Sequence, residues 1–263
     1  MSTRFSAALV TLGLVASMAF PLTSQAAMTG AFNSGDLIKG SGSTVYYFAA
    51  NGRRFVFPNE KTYFTWYTDF SHVVQISDGQ LASIPLGGNV TYRPGRKMVK
   101  ITTDPKVYVV DQGGVLRHAS TQQLAETLYG LSWKNQIDDM PDAFFTNYRV
   151  GTAIQTASDY HPSDVMTGTA NINQDKQFDE TKMTVTVGTH EIGFVPTTVT
   201  VKRGTEITWT NRDITNHTVT GQGWDSGMLA PGQEYKHRFD TAGSFDYHCT
   251  IHTTMQGTIN VVN

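Results

Sequence analysis

The sequence predicts a mainly β protein in which a small α+β repeat domain, residues 34–153, precedes a β-sandwich, residues 183–263. Three observations support this prediction. Segments of the first part repeat at an offset of 62 positions, and the second part is a series of short β-branched and aromatic segments separated by turn signals. A polar stretch lies between the two parts. The chain length of 263 residues also favours two domains.

The N-terminus has the layout of a cleavable secretory signal over residues 1–27. Arg4 precedes an apolar run from Ala7 to Phe20, and small residues follow at 23–27. This run is too short for a membrane span, and no later stretch approaches the roughly 20 apolar residues that a transmembrane helix needs. We therefore expect a soluble protein of the periplasm or the extracellular space, with no transmembrane anchor.

The charge balance argues against one large class of function. The chain has 20 Lys and Arg residues against 22 Asp and Glu residues, for a formal charge of −2. Because nucleic-acid binding depends on a basic surface field, we expect no nucleic-acid partner.

Each copy of the repeat is predicted to be a β-hairpin followed by a short helix. The turn signals are Asn51-Gly52 in the first copy and Gly113-Gly114 in the second. The helices are expected to begin at Pro58-Asn59-Glu60 and Ser120-Thr121-Gln122. Corresponding positions in the two copies are residues 45–48 with 107–110, and Tyr67 with Tyr129.

Ten aromatic residues lie between positions 46 and 70. They are either the core of a small domain, the interpretation that the burial tendency of aromatics favours, or a carbohydrate-binding platform. The pattern resembles short hairpin-and-helix repeats of exported bacterial proteins, which implies a cell-surface or envelope partner for residues 34–153. It contains no catalytic motif.

Residues 154–182 are rich in Ser, Thr, Asn, Gln, Asp and Lys and have no sustained apolar period. Such a composition is typical of a segment that buries too little surface to fold. We expect a flexible linker that tethers the two domains.

The second domain is predicted to contain seven strands in an antiparallel sandwich. The predicted strands are Met183–Val187, Thr198–Val201, Glu206–Thr210, His217–Thr220, Tyr235–Phe239, Ser244–Cys249 and Thr258–Val262.

Cys249 is the single cysteine of the chain. In an oxidising compartment, a lone cysteine indicates intermolecular pairing, a reactive thiol or a metal ligand. Strand alternation places Phe245, Tyr247 and Cys249 on the core-facing side and His248 on the other. His252 and Met255 follow on a short loop, and His217 begins an earlier strand that can lie beside it.

These residues form a candidate copper site. His217, Cys249 and His252 supply two imidazoles and one thiolate, and Met255 supplies a thioether for a weak axial contact, which is the ligand set of electron-transfer copper. Zinc would more often recruit a second cysteine or a carboxylate instead of methionine. The backbone N–H of Thr218 is expected to donate a hydrogen bond to the thiolate.

The last third of the chain resembles the cupredoxins, the type 1 or blue copper proteins of the plastocyanin, pseudoazurin and amicyanin group. The segments that carry the resemblance are residues 194–196 (FVP), 207–209 (ITW), 211–217 (NRDITNH), 227–232 (GMLAPG) and 243–257 (GSFDYHCTIHTTMQG). The resemblance implies a Greek-key sandwich, one type 1 copper per chain, and redox partner proteins that dock near His252. Residues Met228 to Pro231 and Ile251 would contribute to the docking surface, with core packing as the alternative for Met228 and Leu229.

Three functions remain open from the sequence. We expect a non-enzymatic carrier of single electrons that cycles copper between Cu(I) and Cu(II), with copper sequestration or delivery as one alternative. A surface-attachment or glycan-binding protein with an accessory cupredoxin is another. His248 would suggest a second, catalytic copper, as in copper nitrite reductases, but its outward direction and the single copper motif argue against an enzyme.

Overall fold

The structure, a computed structural model, describes residues 32–189 and 191–263. The predicted signal, residues 1–27, lies outside the described residues. Among the helices of the described part, none has the length and apolar character needed to cross a membrane.

Residues 37–150 form two five-stranded sheets with the same internal order. The first sheet and its helices comprise β1 (Leu37–Lys39), β2 (Tyr46–Phe48), β3 (Arg54–Val56), α1 (Glu60–Trp66), β4 (Val73–Gln75), α2 (Asp78–Ser83) and β5 (Leu86–Asn89). The second comprises β6 (Met98–Ile101), β7 (Asp104–Asp111), β8 (Val115–His118), α3 (Gln122–Tyr129), β9 (Ile137–Met140), α4 (Asp142–Phe145) and β10 (Arg149–Val150). The first sheet has the spatial order β4-β1-β2-β3-β5, and the second has the order β9-β6-β7-β8-β10. The two orders are the same when the strands of each sheet are counted from one to five along the chain.

The predicted hairpin turns and helix starts of this region are confirmed. Gly52 and Gly113 both adopt a φ of +70°, a conformation that glycine tolerates without steric cost. Asn59 accepts a hydrogen bond from the Thr62 amide at the start of α1, and Thr121 accepts one from Leu124 at the start of α3. Local side-chain chemistry therefore fixes where each helix begins.

Several of the aromatic residues between positions 46 and 70 serve as core. The buried ones are Tyr47, Phe48, Phe55, Phe57 and Tyr63. Phe64 and Phe70 remain exposed by 44% and 46%.

The prediction of a flexible linker at residues 154–182 is wrong. This segment contains α5 (Pro162–Thr167) and α6 (Ile172–Asp175), and three of its apolar side chains, Ile154, Tyr160 and Ile172, are buried. Its polar groups bond to the rest of the fold: the Tyr160 hydroxyl donates to the Val110 carbonyl oxygen at 2.7 Å. The buried residues of this segment are few and widely spaced, so they form no local hydrophobic period. The composition of the segment therefore did not predict that it is folded.

The rest of the chain is a β-sandwich. One sheet contains β11 (Lys182–Val187), β12 (Phe194–Val195), β14 (Thr205–Asn211) and β17 (Glu234–Phe239). The other contains β13 (Thr198–Lys202), β15 (Thr220–Gly221), β16 (Trp224–Asp225), β18 (Gly243–His248) and β19 (Gln256–Val262). Val185 and Trp209 of the first sheet share one core with Val199, Tyr247 and Ile259 of the second.

Two details of the predicted sandwich need correction. The sheets are mixed instead of purely antiparallel, because β11 pairs in parallel with β14 and β13 pairs in parallel with β19. Within the predicted strand His217–Thr220, only Thr220 is regular strand, and His217 forms a single antiparallel bridge with Leu229. A chain that crosses from one sheet to the other can bring distant strands together in parallel, and periodicity does not report that.

The first sheet and the sandwich share a hydrophobic core. Ile38, Phe48, Ile76 and Ile84 belong to the same buried cluster as the sandwich residues. The first hairpin turn touches β11 directly, since a Cβ on Gly52 would lie 2.5 Å from the Cβ of Thr184. The two regions are therefore packed together, and the prediction that they are flexibly tethered is wrong. Buried residues that are far apart in sequence have no local period, so the sequence did not predict this contact.

Candidate metal centre

Cys249 directly follows the last residue of β18, and its side chain is buried in the core of the sandwich. Tyr247 and Cys249 are 2% and 0% exposed, whereas Asp246 and His248 are exposed, as the predicted alternation requires. The Thr218 backbone N–H donates to the Cys249 Sγ at 3.3 Å, which confirms the expected hydrogen bond.

The backbone N–H and carbonyl groups of His217 are both hydrogen-bonded to Leu229. Its N–H donates to the Leu229 carbonyl oxygen at 3.1 Å and its own carbonyl oxygen accepts from the Leu229 N–H at 2.8 Å. The Asn211 side-chain amide donates to the Thr215 and Leu229 carbonyl oxygens, both at 2.8 Å. These bonds fix the loop between β14 and β15 that presents the imidazole.

Asp213 sets the tautomer of His217. The His217 Nε2 lies 2.8 Å from the Asp213 Oδ2, and a carboxylate only accepts hydrogen bonds, so Nε2 carries the proton. The lone pair of Nδ1 is then free to bind a metal. Desolvation raises the pKa of Asp213, but hydrogen bonds from Thr215 and His217 outweigh it and hold that pKa below its usual value. Asp213 therefore stays ionised.

The loop after Cys249 is closed by two backbone hydrogen bonds. The Cys249 N–H donates to the Met255 carbonyl oxygen at 3.0 Å, and the Met255 N–H donates to the His252 carbonyl oxygen at 2.9 Å. Met255 is 1% exposed and belongs to the sandwich core. His252 is half-buried.

Three metal-binding atoms converge at this point. The Cys249 Sγ lies 3.8 Å from the Nδ1 atoms of both His217 and His252, and those two nitrogens are 3.1 Å apart. A point at equal distance from all three would lie about 2 Å from each, close to the metal–nitrogen bond length of about 2.0–2.1 Å found in proteins. The residues present therefore fit a single metal ion.

The other candidate residues divide between core and surface. His248 is exposed on the face of β18 opposite to Cys249, outside this group. Met228 is 66% exposed and Ile251 is 47% exposed, whereas Leu229 is 4% exposed and belongs to the core. Core packing, the alternative given above for both residues, is therefore confirmed for Leu229 and wrong for Met228.

Sequence reasoning missed the role of Asp213. It lies four residues before His217, within residues 211–217, a segment interpreted above only through its resemblance to the cupredoxins. A carboxylate at this spacing from a candidate imidazole ligand was the available signal, since metal-binding histidines usually donate their second ring N–H to a carboxylate, a backbone carbonyl or water.

Comparison with known proteins matches residues 165–261 to a family described as cupredoxin-like domain. Amicyanin from Paracoccus versutus is 33% identical over 84 residues, which cover 29% of this chain and 64% of that protein, so the chain spans a little under two thirds of its length. Plastocyanin from Scenedesmus fuscus is 32% identical over 83 residues, which cover 26% of this chain and 85% of that protein.

Among solved structures, the similar ones include a purple cupredoxin from Nitrosopumilus maritimus. It is 24% identical, with a TM-score of 0.29, and the match covers 30% of this chain and 98% of the other. The two relatives and this solved structure each match less than a third of this chain.

Proposed function

The chain belongs to the cupredoxin family, and from that premise we propose that it is an exported type 1 copper protein that carries single electrons between redox partners. The observation that carries this proposal is the convergence of two imidazole nitrogens and one thiol sulfur, all within 4.8 Å of one another.

Copper is the cofactor that this donor set fits. Sulfur ligands suit Cu(I), and imidazole suits both oxidation states. Bound copper would take up one electron and release it again by changing between Cu(II) and Cu(I). His217, Cys249 and His252 are the proposed strong ligands, and Met255, buried in the same core, is the proposed weak axial ligand.

The surrounding residues favour a carrier over an ion-delivery protein. Hydrogen bonds from Thr218, Asn211 and Leu229 already hold the ligand loops in place. A preorganised site changes little when the metal changes charge, so electron transfer requires little rearrangement. A site that must release its ion would gain nothing from this rigidity.

The docking surface for redox partners is proposed around His252. Exposed apolar side chains on three loops contribute to it: Ile214 is 91% exposed, Met228 66% and Ile251 47%. Exposed apolar groups mark a protein interaction site when they form one contiguous patch. The first repeat sheet, packed on the sandwich, would hold this surface at a fixed position relative to a cell-surface or envelope partner of residues 34–153.

Visible and EPR spectra of the copper-loaded protein test this proposal. We expect an intense thiolate-to-copper charge-transfer band that Cys249→Ser abolishes while the far-UV circular dichroism stays unchanged. His248→Ala is the matched control, because it changes the neighbouring exposed residue of the same strand and should keep the band. A copper-loaded protein without the band would contradict the proposed site.

A second measurement distinguishes the carrier from its alternatives. We expect fast electron self-exchange and slow loss of Cu(I) to a modest chelator. Rapid loss of Cu(I) with slow electron exchange would instead support copper delivery, and steady turnover of nitrite by the copper-loaded protein would support an enzyme.

A further inference from the structure

A cavity of about 270 Å³ lies where residues 170–180 fold against the first repeat sheet. Three aromatic residues with polar atoms line it: Tyr47 of β2, Trp66 at the end of α1, and Tyr67. The opposite wall comes from the segment that contains α6. A cavity that combines aromatic walls with a few placed polar groups is typical of a small-molecule site.

The cavity holds three hydroxyl groups with unused donor capacity. The Tyr47 hydroxyl accepts from the Asn173 N–H at 3.3 Å, and the Ser34 hydroxyl accepts from the Asn173 side chain at 3.1 Å. Within the described part of the chain, neither hydroxyl donates to an acceptor, and the Tyr67 hydroxyl makes no hydrogen bond. Burial raises the pKa of Tyr47 and Tyr67, so both phenols remain neutral donors.

Glu180 supplies acceptor oxygens on the same cavity. One of its carboxylate oxygens accepts from the Asn171 side chain at 3.2 Å, and the residue is otherwise exposed. Three donors and a carboxylate around aromatic rings match a ligand that carries many hydroxyl groups, because each hydroxyl can both donate and accept.

The charges around the cavity favour a neutral ligand. The guanidinium of Arg93 lies over the Trp66 ring, 5.6 Å from its centroid, and opposes the entry of a second cation beside that ring. The carboxylate of Glu180 opposes the entry of an anion. Arg93 thus competes with a quaternary ammonium for the Trp66 ring and Glu180 repels a sugar acid, whereas a neutral ligand meets neither obstacle.

We propose that this cavity, lined by Tyr47, Trp66, Tyr67, Ser34 and Glu180, binds one ring of a neutral sugar. The site is separate from the metal centre and does not depend on the electron-carrier function. It would let an envelope or extracellular glycan hold the electron carrier in place.

The test uses the full chain and ligand-observed NMR with titration calorimetry. The probes are the methyl glycosides of glucose, galactose, mannose and N-acetylglucosamine, with choline and glucuronate as charged comparisons. At least one neutral glycoside should bind with a millimolar or lower Kd. Tyr67→Phe and Glu180→Gln should each weaken that binding by about fivefold or more, because each removes or weakens a hydrogen bond to the ligand.

The matched control is Tyr129→Phe, since Tyr129 occupies the position of Tyr67 in the second repeat and lies outside the cavity. It should leave the affinity unchanged. The proposal is overturned if none of the four neutral glycosides binds, if Tyr129→Phe weakens binding as much as Tyr67→Phe, or if choline or glucuronate binds more tightly than every neutral glycoside. The charge-transfer band should be the same in all three variants, so failure here is distinguishable from failure at the metal centre.

Discussion

Asp213 is the residue that gives the proposed copper site its electrostatic character. Its carboxylate holds the proton of His217 on Nε2 at 2.8 Å and places a negative charge behind that ligand. Since a nearby negative charge stabilises the more positive state of an ion, Asp213 should favour Cu(II) over Cu(I).

Asp213→Asn should therefore raise the reduction potential and weaken Cu(II) binding by about 10–100-fold, the usual effect of losing such a partner. Voltammetry and competition with a chelator measure the two effects. Asp240→Asn is the control, because Asp240 is an exposed carboxylate paired with Arg238. An unchanged or lower potential in the Asp213 variant would show that the carboxylate does not act on the metal.

Met255 tests the proposed axial contact. Met255→Leu keeps an apolar side chain of similar volume, so the fold should lose less than about 1.5 kcal/mol of stability. Although sulfur suits Cu(I), even a weak axial donor stabilises the more positive Cu(II) more than Cu(I), so the protein should keep its colour and its potential should rise when that donor is removed. Complete loss of copper from this variant would mean that Met255 binds strongly and that its weak axial role is wrong.

Strand β17 illustrates how an element outside the site makes stability depend on pH. Its His237 stacks on Trp224 with the ring centroids 5.1 Å apart. Burial lowers the pKa of His237, and Asp240 offsets part of that effect. The folded state thus prefers neutral His237, so this contribution is present above the unfolded pKa of about 6.5 and is lost as pH falls through the folded value.

His237→Phe should keep the aromatic stack and remove this pH dependence. Urea unfolding at about pH 8 and about pH 5 measures it: the wild type should lose more stability on acidification than the variant. Equal losses in both proteins would assign the acid sensitivity to other groups.

Helix α6 connects the two N-terminal sheets through side-chain oxygens that accept hydrogen bonds from backbone N–H groups. The Asn173 Oδ1 accepts the Ala50 N–H at 3.0 Å in the first hairpin turn, and the Asp175 Oδ1 accepts the Gly113 N–H at 2.9 Å in the second. Burial raises the pKa of Asp175, although the Gly113 bond opposes that change. The segment is ordered because it satisfies backbone groups in both copies.

Asn173→Ala should lower the free energy of unfolding by about 1–3 kcal/mol, because it leaves the buried Ala50 N–H without its acceptor. Urea denaturation followed by circular dichroism measures the change. The exposed Gln123→Ala serves as control and should alter stability by less than about 0.5 kcal/mol. A similar small effect for both variants would indicate that α6 is not a stabilising connection.

The whole molecule is joined by the core that the first sheet shares with the sandwich. Residues from β1, β2 and β4 contact the same cluster that contains Cys249 and Met255. A substitution that loosens the part of this core contributed by the first sheet should therefore also disturb the metal centre.

Ile38→Ala tests this coupling, because Ile38 is 0% exposed and belongs to the repeat side of the shared core. We expect a loss of about 2–5 kcal/mol, with the circular dichroism signal and the copper band disappearing in one transition. Ile214→Ala, at a side chain that is 91% exposed, should have little effect. Two well-separated transitions would show that the repeat region and the sandwich unfold independently.

Local patterns in the sequence were enough to locate the turns, the helix starts and the inward direction of Cys249. Glycines at tight turns, capping residues such as Asn59 and Thr121, and the two-residue period of β18 each act over a few neighbouring positions. The candidate ligands could be named from the sequence because their side chains are rare and their chemistry is specific: one thiol, with imidazole and thioether groups close by.

The arrangement of distant segments depended on the folded chain. The meeting of His217 with Cys249, the parallel pairing of β11 with β14, and the packing of residues 154–182 all join positions far apart in sequence, and such contacts follow from the shape of the assembled core. The sequence thus predicted a copper-type ligand set, while long-range packing decided that the first sheet and the sandwich form one connected body, since buried contacts between remote residues leave no periodic signal in the chain.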